Sequence, residues 1–107
     1  MKGTHLGEFE ELVLLSVGVL ENNAYGVSIA KAIEKQLNRS ITISTVHTVL
    51  YRLETKGFVQ SEFGGATQER GGRKKRMYTI TAQGYQALVD ARNLRNRMWN
   101  MMPDYGF

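Results

Sequence analysis

The order of its helical and strand-like segments is the feature that most constrains how this chain folds. Apolar residues recur at helical spacing over residues 6–21 and 26–37, and again over residues 44–57. Ser44 is the expected N-cap of the third helix, because its hydroxyl can accept a hydrogen bond from a first-turn amide. The β-branched segment 40–43 between the second and third helices predicts a brief strand.

A strand-loop-strand pattern and a long helix follow. Residues 58–63 and 76–80 predict two strands, and the glycine-containing segment 64–75 between them predicts a hairpin loop. Thr81 is the expected N-cap of a last helix that continues to about Met102. This order of elements predicts a mainly α (α+β) fold, namely a winged helix-turn-helix with an added C-terminal helix.

The length of 107 residues fits one compact unit. Within it, we expect residues 1–81 to form the winged helix-turn-helix and residues 82–107 to form a C-terminal dimerisation helix and tail. No apolar run approaches the roughly 18 residues of a membrane span, and the segment Met1–Gly7 lacks the apolar stretch of a signal peptide. The chain has no cysteine, which excludes disulfides and thiolate metal sites. We therefore expect a cytoplasmic protein.

Positive charge is concentrated in the second part of the chain. Residues 1–63 hold six Lys or Arg against seven Asp or Glu, a net charge of −1, whereas residues 64–107 hold eight against three, a net charge of +5. Five cations lie among glycines in one short segment: Arg70, Arg73, Lys74, Lys75 and Arg76. Such a run is often only a solvated face, but mutual repulsion favours an anionic partner. A flexible cationic hairpin is suited to the phosphate backbone of a nucleic acid.

The outward face of the third predicted helix is rich in hydrogen-bonding side chains. Its members are Ser44, Thr45, His47, Thr48, Tyr51 and Arg52. An ordinary solvated helix face is an open alternative for this pattern. A helix that lies in the major groove of DNA requires the same kinds of side chain, and Arg52 can reach a guanine or a phosphate.

The last predicted helix carries an apolar stripe at the spacing of a coiled-coil seam. The stripe consists of Ala87, Ala91, Leu94, Met98 and Met101. It can pack within the chain, but so long a helix exceeds what one small domain covers, and an exposed apolar stripe favours a partner. A homodimer with two-fold symmetry is the expected solution, and it would place two recognition helices on a pseudo-palindromic operator.

Trp99 lies among methionines near the end of this helix. Aromatic and methionine side chains can line a pocket for a flat apolar effector, although such residues more often form an interface core. Residues typical of catalytic sites are scarce: His5 and His47 are far apart in sequence, and no phosphate-binding loop or nucleophile elbow is present. We therefore expect no enzymatic activity, no metal and no cofactor.

Several motifs in order resemble the PadR-like family of transcriptional repressors, in particular its short members with one C-terminal helix. The matching segments are 6–15 (LGEFEELVLL), 24–27 (AYGV), 50–57 (LYRLETKG) and 69–76 (ERGGRKKR), with Tyr78, Thr81 and Gly84. Each motif is weak alone, but together they extend from residue 6 to about residue 90. The resemblance implies a dimeric winged-helix repressor that often responds to an effector.

The resemblance also implies roles for particular residues. Family DNA contacts correspond to Thr45, His47 and Thr48, to the wing residues 73–76, and to Tyr25 at the start of the second helix. The family usually has a tyrosine in place of His47, and of the two side chains only imidazole can gain a charge near neutral pH.

The resemblance further implies how the dimer forms. In relatives the last helix packs on the first helix of the partner, which places Leu6 and Phe9 at the dimer interface. Some relatives bind aromatic effectors between subunits, where Trp99 is the matching candidate.

Two other functions compete with binding of double-stranded DNA. A winged helix can serve as a protein-interaction module, but that alternative leaves the basic loop unexplained. The last helix, with Arg92, Arg95 and Arg97 beside Trp99, can associate with a membrane surface. These arginines alternate with Asp90 and asparagines and form no broad basic face, so we expect no membrane partner.

Overall fold

A computed structural model describes residues 6–66 and 74–107. Its elements, in chain order, are α1 (Glu8–Leu20), a 3-10 turn (Glu21–Asn23), α2 (Gly26–Leu37), α3 (Ile43–Thr55), β1 (Val59–Ala66), β2 (Lys74–Ile80) and α4 (Ala82–Met101). The strands pair as an antiparallel two-stranded sheet. The α+β winged-helix architecture predicted from the sequence is confirmed.

The core lies where the apolar stripes of α1, α2 and α3 face one another. Its fully buried side chains are Val13, Leu14, Val17, Ile29, Val46, Leu50 and Leu53. Phe58, Val59 and Tyr78 of the hairpin close the core from one side. Burial of a large aliphatic side chain stabilises a fold by about 1.5–3 kcal/mol, so these stripes hold the three helices together.

The start of α3 differs from the prediction. Thr42, not Ser44, is the N-cap, and its Oγ1 accepts a hydrogen bond from the Thr45 N–H at 3.2 Å. Ile41, the residue before the cap, packs on the core together with Val46, the arrangement of a hydrophobic staple, and this fixes where the helix begins.

The predicted strand at residues 40–43 is also wrong. The Ile41 N–H donates to the Glu34 carboxylate at 2.8 Å, so it is not available to a β-ladder. Asn38, in the left-handed conformation, ends α2 and turns the chain toward α3.

The hairpin strands extend further than predicted. They pair from Val59 opposite Ile80 to Ala66 opposite Lys74, with a register shift between Phe63 and Ala66. The predicted loop 64–75 is therefore shorter at both ends. Of the cations assigned to it, Arg70 and Arg73 lie outside the described residues.

Helix α4 begins as predicted and then leaves the domain. The Thr81 Oγ1 accepts from the Gly84 N–H at 3.0 Å and donates to the Gly57 carbonyl at 2.7 Å. Gly84 allows a close approach, because a Cβ there would lie 2.2 Å from the Phe58 carbonyl oxygen. The first turns of α4 are thus packed on the hairpin base.

The second part of α4 gives the molecule an elongated shape. Its extents are 58 × 31 × 20 Å and its radius of gyration is 16.0 Å, against about 13 Å for a compact domain of this length. No helix within residues 6–66 or 74–107 combines the length and the hydropathy required to cross a membrane.

Candidate nucleic-acid interface

The outward face of α3 is polar and exposed. All six side chains that the sequence predicted for this face are exposed to solvent: Ser44, Thr45, His47, Thr48, Tyr51 and Arg52. The phenol of Tyr51 is 73% exposed. Because Val46, Val49 and Leu50 hold the opposite face in the core, α3 presents these groups on a fixed surface that can enter a major groove.

Local hydrogen bonds decide what the threonine hydroxyls of α3 can still bind. The Thr48 hydroxyl donates to the Ser44 carbonyl at 3.0 Å, and the Thr45 hydroxyl lies 2.7 Å from that of Thr42. A hydroxyl has one proton, so Thr48 retains only its capacity to accept. It is suited to an amino group of adenine or cytosine, whereas a phosphate oxygen would require the hydroxyl to turn.

Three predicted contact residues from different elements meet at the first turn of α2. The Lys75 ammonium of β2 lies 3.9 Å from the ring centre of Tyr25, the residue that precedes α2. The His47 imidazole of α3 packs over Gly26, because a Cβ there would lie 2.7 Å from its Nε2. The first amides of a helix lack intrahelical acceptors and attract anions. The arrangement can hold a phosphate between α2, α3 and the wing.

The base of the hairpin is tied to the segment before α2. The Tyr78 N–H donates to the Ala24 carbonyl at 2.8 Å, and both residues are buried. Burial raises the pKa of the Tyr78 phenol, while the nearby Arg76 guanidinium acts in the opposite direction. The wing therefore projects from a fixed base.

Arg76, predicted as a phosphate contact, is directed across the hairpin toward α3. Its Nη1 donates to the Ser61 Oγ at 2.7 Å, and the Ser61 hydroxyl donates to the Glu54 carboxylate at 2.8 Å. The guanidinium carbon also lies 4.5 Å from the ring centre of Phe63. Lys75 thus contacts the residue that precedes α2, and Arg76 is connected to the end of α3 through Ser61.

An open groove of about 450 Å³ separates the start of α1 from α3. Phe9, predicted at the dimer interface, lines it together with Thr45 and Arg52. At its side the Glu10 carboxylate pairs with the Lys56 ammonium at 2.9 Å and accepts from the Gly7 N–H at 2.8 Å.

The pKa of Glu10 reflects these contacts. Burial alone would raise it, but the Gly7 hydrogen bond and the Lys56 ammonium lower it by more. The net pKa lies below the ordinary value of 4.5. The start of α1 is thereby held against the end of α3.

A second open groove, of about 400 Å³, follows α4. Five of the predicted dimer residues line it: Leu6, Ala87, Ala91, Leu94 and Met98. Exposure rises along the stripe, from half-buried Ala87 and Ala91 to 50% at Leu94, 62% at Met98 and 79% at Met101. The apolar stripe is therefore covered by its own domain only at its beginning.

Trp99, the effector candidate, lies on the exposed part of α4. Its side chain is 71% exposed, and the neighbouring Met98 and Met102 are exposed as well. Among the residues that the structure describes, no three His, Asp or Glu side chains are grouped closely enough to hold a metal ion.

Two contacts at this surface were missed from the sequence. The Glu10–Lys56 pair joins residues 46 positions apart, and no local pattern signals it. The Glu54–Ser61–Arg76 chain was missed because Ser61 reads as an ordinary polar strand residue. The Tyr25-Gly26 pair belongs to one of the motifs that match the family, and the closely packed His47 ring is a physical reason for its glycine.

Comparisons with known proteins agree with this architecture. A PadR-like transcription factor from Bacteroides fragilis has 21% identity and a TM-score of 0.72, covering 86% of this chain and 84% of that chain. A PadR-like transcriptional regulator from Bacillus cereus has 16% identity and a TM-score of 0.70, over 86% and 84%. Bacillus subtilis PadR in complex with operator DNA has 21% identity and a TM-score of 0.62, over 91% of this chain and 49% of that longer chain.

At these identities the solved structures show a shared fold. None of the curated proteins compared with the chain matches it. The profile of the PadR-like family of transcriptional regulators, however, matches residues 14–90, which include α2, α3, the hairpin and the start of α4. Because that match spans most of its length, this chain belongs to the PadR-like family of transcriptional regulators.

Proposed function

We propose that this protein is a dimeric repressor that binds a pseudo-palindromic operator in double-stranded DNA. The observation that carries the proposal is the meeting of Tyr25, His47 and Lys75 beside the exposed polar face of α3. Members of the family are transcription regulators and not enzymes, as the sequence predicted. A regulator of transcription acts in the compartment that holds the DNA. We therefore keep the cytoplasm as the proposed location.

Base recognition is assigned to the exposed face of α3. In a major groove, the first turns of α3 present Ser44, Thr45 and Thr48, and Arg52 follows one turn later. Thr48 acts as an acceptor for base amino groups, and Arg52 can donate to guanine or phosphate. Bacillus subtilis PadR, which has the same fold, was solved in complex with operator DNA, and this supports binding of DNA by such a fold.

Phosphate contacts are assigned to the start of α2 and to the wing. Tyr25 and His47 offer polar groups at the positive end of the α2 dipole, and Lys75 adds a cation. Arg70, Arg73 and Lys74 belong to the same basic segment of the sequence and extend the phosphate-binding surface in this proposal. Contacts of this kind bring affinity and salt dependence, while α3 brings sequence preference.

The dimer is assigned to the groove along α4. Leu94, Met98 and Met101 are mostly exposed apolar residues at coiled-coil spacing, and such a stripe requires a covering surface. A second copy, contributing its α4 and its Phe9, would cover it, whereas Leu6 is already buried under its own α4. The two-fold axis would then present two α3 helices to successive half-sites.

An effector site is assigned to Trp99, where a flat aromatic compound would stack between the subunits. Trp99 is the sole tryptophan of the chain, so its fluorescence reports on this residue alone. Quenching that saturates with an aromatic compound and that accompanies release of DNA supports the site. Quenching without any change in DNA affinity would mean that the compound binds near Trp99 but is not an effector.

The first experiment measures DNA binding by fluorescence anisotropy. Duplex from the protein's own upstream region is compared with a scrambled duplex at several salt concentrations. We expect tighter binding to the upstream duplex and a steep fall in affinity with salt. Absence of binding to both duplexes at moderate salt contradicts the proposal and favours the protein-interaction alternative.

The wing is tested with the double variant Arg73→Ala, Lys74→Ala. We expect weaker binding to both duplexes and a salt slope that is shallower by roughly one to two. An unchanged slope would remove the wing from the phosphate contacts while leaving base recognition by α3 intact.

A further inference from the structure

We propose that Arg76 is a positioning residue, which fixes the angle between the wing and α3 and does not contact phosphate. The inference rests on the proposed DNA binding, because the angle matters only if α3 and the wing engage one duplex. It assigns a different task to Arg76 than to the other cations of the basic segment.

A continuous chain of hydrogen bonds joins α3 to both strands of the wing. Arg76 of β2 donates to Ser61 of β1 at 2.7 Å, and Ser61 donates to Glu54 of α3 at 2.8 Å. The Ser61 hydroxyl uses its one proton toward the carboxylate and a lone pair toward the guanidinium. Both bonds involve a charged group, which makes them stronger than neutral hydrogen bonds.

Aromatic packing holds the same guanidinium from a second side. Phe63 lies directly opposite Arg76 in the strand register, and its ring centre is 4.5 Å from the guanidinium carbon. One edge of Arg76 therefore donates to Ser61 while its face packs on Phe63. A phosphate that took the Nη1 donor would displace Ser61 from it and break the connection to Glu54.

The neighbouring residue holds the opposite face of the wing. Successive strand residues point to opposite faces, and the Lys75 ammonium lies 3.9 Å from the ring centre of Tyr25. The wing is thus connected to the start of α2 through Lys75 and to the end of α3 through Arg76. A change at Arg76 would release one of these two connections and leave the other.

The wing angle affects the preference for the upstream duplex over the scrambled duplex, called here the promoter preference, more than it affects the affinity for DNA in general. Nonspecific binding needs only cations near phosphates, whereas sequence-specific binding requires α3 to stay seated in the groove while the wing contacts the backbone. A wing that swings freely still attracts DNA but no longer favours one register of α3. The loss is expected in the ratio of promoter to scrambled affinity.

Substitutions at Glu54 distinguish positioning from simple charge, because an acidic residue cannot bind phosphate. Glu54→Gln removes the charge but keeps an oxygen that accepts from Ser61, whereas Glu54→Ala removes both. We expect Glu54→Gln to retain the promoter preference and Glu54→Ala to lower it about three- to tenfold. If Glu54 is only a surface acid, both variants will gain affinity for both duplexes equally.

Substitutions at Arg76 provide the second comparison. Arg76→Lys retains the charge but loses the planar stacking and the fixed donor geometry. We expect Arg76→Lys and Arg76→Gln to lower the promoter preference by similar factors, with the salt slope of the wild type. A phosphate contact predicts instead a nearly normal Arg76→Lys and a slope shallower by about one for Arg76→Gln.

A measurement without DNA separates this inference from the proposed function. Hydrogen exchange of the β1 and β2 amides is expected to be faster in Glu54→Ala and Arg76→Lys than in wild type and Glu54→Gln. Equal exchange in all four proteins would overturn the positioning role. If exchange changes as expected but the wild type lacks promoter preference, the structural role of the Glu54–Ser61–Arg76 chain is supported and the proposed DNA-binding function is contradicted.

Discussion

Helices α3 and α4 carry apolar stripes of similar spacing, but the stripe of α3 is buried and most of the stripe of α4 is exposed. In α3 the residues Val46, Val49, Leu50 and Leu53 are all buried in the core. In α4 the stripe begins half-buried at Ala87 and becomes 79% exposed at Met101. Periodicity therefore identifies a helix and its apolar face but does not identify the surface that covers this face.

The two helices differ in what they contact. Helix α3 lies between α1, α2 and the hairpin, so that its apolar face is enclosed and only its polar face is free. Helix α4 touches its own domain through the hairpin base and through α1, where Arg95 still pairs with Glu11, and its last residues are exposed. The comparison predicts that the α3 stripe stabilises one chain and that the α4 stripe stabilises an assembly.

The largest expected effect comes from making the same substitution in both helices. Leu50→Ala removes a fully buried side chain and should lower the free energy of unfolding by about 2–5 kcal/mol. Leu94→Ala removes a half-exposed one and should lower chain stability much less, with an effect that depends on protein concentration. Denaturant unfolding at two protein concentrations measures both. Equal, concentration-independent losses would contradict the distinction.

Much of this distinction follows from the sequence. The spacing of Val46, Val49, Leu50 and Leu53 predicts the buried face of α3, and the boundaries predicted for the second helix, 26–37, agree with the structure. The Thr81 cap is likewise confirmed. These features depend on neighbours a few residues apart, which is why a local pattern can predict them.

Features that depend on distant neighbours were not predictable in the same way. Gly64 belongs to the predicted loop, yet it lies in β1, where the Met77 side chain packs so close that a Cβ on Gly64 would lie 2.7 Å from the Met77 Cγ. Thr42 and Ser44 are both capable of capping a helix, and only the packing of Ile41 on the core decides between them. The placement of Arg76 against Ser61 likewise follows from strand register, which one sequence does not display.

A charge on the α4 stripe should break the assembly without unfolding the chain. Leu94→Asp places a carboxylate at the middle of the exposed apolar groove, so we expect a monomer at micromolar concentration with unchanged helical circular dichroism. Operator affinity should fall with the dimer. Asn96→Asp, an equal introduction of charge on another face of the same exposed helix turn, is the control and should remain dimeric. A dimeric Leu94→Asp would show that the α4 stripe is not the interface.

The Glu10–Lys56 pair tests how firmly α1 is held to α3. Glu10→Gln should lower the free energy of unfolding at neutral pH by about 1–2 kcal/mol, because it removes a charged hydrogen-bond partner of Lys56. The pKa of Glu10 is lowered in the folded state, so its contribution is complete above about 4.5 and is lost as pH falls through the folded-state pKa.

The difference in stability between wild type and Glu10→Gln should therefore shrink as pH falls below about 4.5. Denaturant unfolding at a series of pH values measures it. A difference that stays constant over this range would assign the effect of the substitution to packing and not to the charge of Glu10.

The neighbouring pair, Glu11 with Arg95, joins α1 to α4 and should have the smallest effect. The Arg95 Nη1 and the Glu11 Oε1 are 2.9 Å apart, the same distance as in the Glu10–Lys56 pair. The Arg95 side chain is 57% exposed, however, so its charge is screened by solvent. We expect a coupling energy of about 0.5 kcal/mol or less from a double-mutant cycle with Glu11→Gln and Arg95→Gln, decreasing further in high salt. A coupling above about 1 kcal/mol would mean that α4 is anchored to its own domain as firmly as α3 is. In that case the contrast between the two helices would begin only beyond Arg95, and the partner would be needed for Met98 and Met101 alone.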